Sequence, residues 1–150
     1  DKSLIAIYAL LQKMNGPLKD VFSTIINCEN ENIPEISAVE YDEGKGVVGW
    51  VQGKRILAGN RELLKKYRIS PPIHDVEKKY LDQDKQITYF AIGGQLTIML
   101  ILTYSANKSM LSEIKQLATS GTRMIVTTVD SNITLERIAK DFKIKKFLSP

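Results

Sequence analysis

Residues 43–60 read EGKGVVGWVQGKRILAGN, and this stretch decides the fold. Glu43-Gly44-Lys45-Gly46 is a turn, Val47–Val51 a β-branched and aromatic run, Gln52-Gly53-Lys54 a second turn, and Arg55–Ala58 a second apolar run. Short runs punctuated by glycine predict an antiparallel meander. Before it, Val39 and Tyr41 alternate with Ala38, Glu40 and Asp42, which adds a strand on that side. After it, Asn60 opens a short helix to about Tyr67, Ser70-Pro71-Pro72 breaks the chain, and a polar helix runs from Asp75 to about Leu81. Gln86–Ile92 and Gln95–Tyr104 then flank Gly93-Gly94, a strong hairpin signal.

Outward again, Leu4, Ile7, Tyr8, Leu11 and Met14 recur at helical spacing behind Ser3, which is expected to cap that helix. Asn15-Gly16-Pro17 stops it, and a second helix runs from Pro17 to about Ile26. One antiparallel sheet over residues 35–104, with this helix pair on a face, is the expectation. Past Tyr104 the character changes. Met110, Leu111, Ile114 and Leu117 mark a helix ended by Gly121, Arg123–Thr127 reads as a buried strand, and Ile133–Phe142 reads as another helix. Such an α-β-α unit belongs to a parallel, helix-covered sheet that three elements cannot close alone.

The 150 residues, 43% hydrophobic, suffice for one globular domain or a domain plus a fragment. The net charge of +4 is scattered, so no nucleic-acid-binding stripe is present and no nucleic-acid partner is expected. A single cysteine, Cys28, excludes an internal disulfide and every multi-cysteine zinc pattern, and points to a reducing compartment. The longest apolar run, Leu96–Thr103, falls well short of the roughly 20 residues of a membrane span. The sequence starts without the basic and apolar regions of a signal peptide. His74, the only histidine, is read as a surface residue, Trp50 and Phe90 as packing or hairpin-face residues, and Lys45 and Lys54 as solvated turn lysines.

The ordered series Gly44-x-Gly46, Val47-Val48-Gly49, Gly53-Lys54 and Gly59-Asn60-Arg61-Glu62-Leu63-Leu64 resembles the nucleotide-binding domain of heavy-metal-transporting P-type ATPases. Downstream, Thr128-Val129-Asp130, Thr134 and Ile138-Ala139 fall where that family has Thr-Gly-Asp-Asn, Thr-Ala and Ile-Ala. The resemblance implies an α+β, two-layer fold. It comprises an antiparallel sheet of about six strands with an N-terminal helix pair (residues 1–104), then an α-β-α fragment of a haloacid-dehalogenase-like phosphorylation domain (residues 105–150). It implies nucleotide binding by Asn15, Gly44, Gly46, Gly59 and Asn60, with Thr128 and Asp130 near the phosphate. The chain would be a cytosolic domain of an integral membrane protein, presenting ATP to a phosphorylation site elsewhere. Its partners would be the nucleotide and the remaining phosphorylation, actuator and transmembrane domains, with Mg²⁺ entering only in the full-length protein.

Three positions depart from the pattern. The family's Ser-Glu-His-Pro-Leu appears as Met14-Asn15-Gly16-Pro17-Leu18, so the imidazole that helps to hold adenine is absent and ATP affinity is expected to be weak. Val129 replaces a glycine, and Tyr104 stands where the family usually has aspartate. The phosphorylated Asp-Lys-Thr-Gly-Thr is missing, so no residue here is expected to be catalytic and none to bind a resident metal. These losses support an alternative: a non-catalytic relative with a regulatory or assembly role in a membrane protein.

Overall fold

In the computed structural model, residues 2–14, 17–26, 32–72, 74–122, 125 and 134–142 are described. The elements follow the chain as α1 (Lys2–Leu11), α2 (Pro17–Ile25), β1 (Ser37–Asp42), β2 (Gly46–Val51), β3 (Lys54–Gly59), α3 (Arg61–Lys66), α4 (His74–Leu81), β4 (Gln86–Ile92), β5 (Gln95–Leu102), α5 (Lys108–Thr119) and α6 (Leu135–Phe142). The five strands form one sheet in sequential order, and every neighbouring pair is antiparallel.

The turns explain the register. Gln52 and Gly53 both have positive φ (49° and 76°), as do Gly93 and Gly94 (59° and 86°). Paired positive φ angles make the tight two-residue hairpin whose twist suits the strands it joins. Trp50 therefore faces Arg55 across β2 and β3, and Ile92 faces Gln95 across β4 and β5. The described sheet has five strands, matching the five strand-like runs of the sequence, where the resemblance implies about six. In β1 the irregularity is absorbed by a bulge between Ser37 and Glu40, with Ala38 at φ +48°.

Alternation divides the core between two faces. Val47, Val51, Ile56, Ala58 and Phe90 join Ile7, Leu10, Leu11, Leu18 and Phe22 of the N-terminal helices. Phe22 meets Phe90 at a ring-centroid separation of 5.2 Å and a tilt of 55°, a favourable aromatic geometry. The opposite sides of the same strands give Val48, Leu57, Ile87, Tyr89 and Ala91, which join Leu63 and Leu64 of α3 and Ile69. Each such apolar side chain contributes about 1.5–3 kcal/mol when fully buried. The helix pair lies on one face as expected, and α3 and α4 clothe the second face as well.

Gly49 makes room for this packing, since a Cβ there would lie 2.7 Å from Ile36 Cδ1 and 3.1 Å from Leu10 Cδ1. Ser3 does not cap α1: the helix already includes Lys2, so Ser3 stands in its first turn. The helices expected after Tyr104 are α5, capped by Asn107, and α6. Of the buried strand expected at Arg123–Thr127 only Ile125 is described, and it is 90% exposed and outside any strand, against that expectation; Cys28 lies outside the described residues.

Candidate functional site

The β1–β2 turn and the β3–α3 junction are brought together by backbone proximity. Gly46 and Gly59 are Cα partners. A Cβ on Gly46 would lie 2.1 Å from the Ala58 carbonyl oxygen, and one on Gly59 would lie 2.2 Å from the Lys45 carbonyl oxygen. Neither position has space for a side chain. The Asn60 N–H donates to the Lys45 carbonyl at 2.9 Å. Its side chain then closes the arrangement, with Oδ1 accepting from Leu63 N–H (3.1 Å) as the α3 cap and Nδ2 donating to the Gly44 carbonyl (2.9 Å).

Gly44, Gly46, Gly59 and Asn60 thus share one site. Gly44, at φ +69° with nothing within 4 Å of its would-be Cβ, is the open part of it. Asn15, Thr128 and Asp130 lie outside the described residues.

Charge gathers beside the turn. The Asp42 carboxylate takes Lys66 Nζ at 2.6 Å and Lys45 Nζ at 3.4 Å. Hydrogen bonding from Lys66, with support from Lys45, holds the Asp42 carboxyl below its ordinary range, and the same bond raises Lys66. Lys65 and Glu62 pair one helical turn apart on the exposed side of α3. Among the described residues no three His, Cys, Asp or Glu side chains converge as metal ligands.

Of the remaining candidates, His74 is exposed at the first position of α4, and Lys54 is exposed. Phe90 is fully buried, while Trp50 is 41% exposed on the β2–β3 hairpin. A cleft of about 260 Å³ opens between α2 and the end of β5, lined by Pro17, Leu18, Val21 and the chain from Leu102 to Ser105. It begins one residue after Gly16.

Sequence reasoning missed a buried polar cluster on the α3–α4 face. Glu77 is 6% exposed and Tyr89 is 1% exposed. Arg61 Nε meets Glu77 Oε2 at 2.5 Å, Tyr89 Oη donates to Glu77 Oε1, and Arg61 Nη2 reaches the Pro72 carbonyl at 2.7 Å. Burial, then bonding to Glu77, raises the Tyr89 phenol far above its ordinary value. The cluster ties α3, α4 and β4 together. Its bonds hold parts of the fold to each other.

No protein-family model matches the chain. In sequence it is 25% identical over 150 residues to a copper-exporting P-type ATPase of Legionella pneumophila, covering 99% of this chain and 20% of that protein. It is 24% identical over 151 residues to a silver exporting P-type ATPase of Salmonella typhimurium, covering 96% of this chain and 18% of that protein. The chain therefore spans about a fifth of the length of these relatives. In structure it is similar to the N-domain of HMA6, a copper-transporting P-type ATPase. The TM-score is 0.51 at 14% identity, over 67% of this chain and 83% of that one. It is also similar to a zinc-transporting PIB-type ATPase, with a TM-score of 0.52 at 15% identity, over 95% of this chain and 23% of that one. In sequence and in fold the chain resembles the N-domain of heavy-metal-transporting P-type ATPases.

Proposed function

We propose that the chain is the nucleotide-binding unit of a metal-cation-transporting P-type ATPase-like membrane protein. In this reading it lies in the cytosol and presents ATP, weakly held, to a phosphorylation site elsewhere in the full-length protein. The observation that carries the proposal is the Gly44-Lys45-Gly46 turn, held against Gly59-Asn60 and open at Gly44, on a sheet with the fold of such N-domains. Glycine lets a ligand approach the backbone closely there. Asn15 would complete the site from the α1–α2 connection, and Thr128 and Asp130 would lie toward the phosphates. The reduced affinity follows from Gly16, which offers no ring where the resembled family has histidine. Mg²⁺ would enter only in the full-length protein. No described helix is long and apolar enough to cross a membrane, so the membrane part would belong to other segments.

A specific observation favours a second reading. Close backbone approach accounts for Gly46 and Gly59 without any ligand, and both polar atoms of the Asn60 side chain are engaged within the fold. A non-catalytic relative would retain this arrangement for its architecture alone. Backbone NMR during titration with ATP, ADP and AMP separates the two. The first reading expects saturable shifts at Gly44, Gly46 and Asn60 with a dissociation constant weaker than micromolar. The second expects none, and micromolar or tighter binding would refute the weakening.

A further inference from the structure

The segment after Tyr104 is fastened to the sheet unit by a compact charged cluster. None of the described residues of α5 is buried. α6 buries Ile138 and most of Arg137, whose side chain is only 9% exposed. From that position Arg137 reaches three partners: Nε donates to Asp141 Oδ2 (2.7 Å), Nη2 donates to the Tyr104 carbonyl, and Nη1 lies 3.5 Å from Asp84 Oδ1. One turn further along α6, Lys140 Nζ takes the other Asp84 oxygen at 2.7 Å.

Asp84 sits in the α4–β4 turn at φ +59°, where its N–H donates to the Leu81 carbonyl at 3.0 Å. The left-handed backbone sets the direction in which its side chain leaves the turn. A short polar residue tolerates this conformation. The cluster therefore spans three places: the tip of the sheet unit, the α6 helix, and the connection between β5 and α5.

We propose that Asp84, Arg137 and Lys140 form an electrostatic latch that holds α6 against the sheet unit and, through the Tyr104 carbonyl, fixes the connection at residues 103–107. Closed, the latch gives the sheet one orientation relative to α6. Opening it frees rotation about that connection while leaving the sheet's own core untouched. Asp84 and Lys140 are mostly exposed, so water can replace their pairing readily, as a reversible contact requires. The latch involves no residue of the candidate nucleotide site, and its test uses no nucleotide.

Hydrogen exchange on the whole chain reads the latch directly. Asp84→Asn keeps a residue suited to the turn while removing the charge. The latch predicts about three- to tenfold faster exchange in 137–142, the range expected for loss of partly exposed ion pairs, with β2–β4 unchanged. Lys140→Ala should give a smaller rise in the same residues. High salt should loosen α6 in the unmodified chain and have a smaller effect in Asp84→Asn, where only the Arg137–Asp141 pair is left to screen. Unchanged α6 exchange in Asp84→Asn, an equal rise in the strands, or an undiminished salt response in the variant would overturn the assignment.

Discussion

Gly46 and Gly59 face each other across β2 and β3 so closely that a methyl group on Gly46 would lie 2.1 Å from the Ala58 carbonyl oxygen, and one on Gly59 2.2 Å from the Lys45 carbonyl oxygen. Such a clash is relieved only by separating the β1–β2 turn from the β3–α3 junction. Gly46→Ala and Gly59→Ala are each expected to cost about 3 kcal/mol or more. Gly44→Ala meets no atom and only adopts an unfavourable φ, costing about 1 kcal/mol. Urea unfolding of the three variants checks the order. Equal effects would show that the close approach does not govern stability.

Asn60 does two jobs that substitution can divide. Asn60→Ala removes the helix cap and the Gly44 bond, with an expected cost of about 2 kcal/mol. Asn60→Asp keeps an acceptor for Leu63 N–H but loses the donor to Gly44, so its loss should be smaller. Thermal unfolding of the pair decides it, and an aspartate variant as unstable as the alanine one would assign the stability to the Gly44 contact alone.

Glu77→Ala leaves Arg61 without its carboxylate and Tyr89 without its acceptor, so about 3 kcal/mol of stability should be lost. The same cluster sets an alkaline limit. Tyr89 holds its proton more tightly in the folded chain than in the unfolded one, whose ordinary value is 10.0. Its contribution is therefore intact below pH 10.0 and is lost as pH rises above it, because the unfolded chain ionises first. Denaturant midpoints measured on either side of that pH should fall in the native chain, and the fall should shrink in Tyr89→Phe.

Restoring an imidazole tests the nucleotide reading from the opposite direction. Gly16→His should strengthen ATP binding by about ten- to a hundredfold, corresponding to roughly 1–3 kcal/mol from one regained partner. Calorimetric titration of both chains measures the ratio. A ratio of one would mean that adenine does not reach this corner of the chain.

The meander was legible because each strand boundary carries its own chemical mark: Gly53 and the Gly93-Gly94 pair occupy positions where positive φ is required. The α3–α4 face was harder to read. On α4 the apolar residues Val76 and Leu81 are 41% and 48% exposed, while the charged Glu77 turns inward. Periodicity ranks side chains by hydrophobicity and so points away from Glu77. Its partner Arg61 is 16 positions earlier, beyond any local pattern. The candidate site was half legible. Its glycines stood out by spacing, but their role in backbone approach becomes visible only when Gly46 is seen opposite Gly59.

The strictly sequential strand order also bears on how the chain acquires its shape. Three of the four strand pairings join segments connected by a short turn, so each can form as an independent hairpin with little loop-closure entropy. The exception is β3 with β4, where Gly59 must find Tyr89 across the intervening α3 and α4. That single encounter carries most of the entropic barrier to assembling the sheet. Substitutions that stabilise α3 or α4 should accordingly accelerate folding, whereas those in the β1–β2 and β4–β5 hairpins should act mainly on the rate of unfolding.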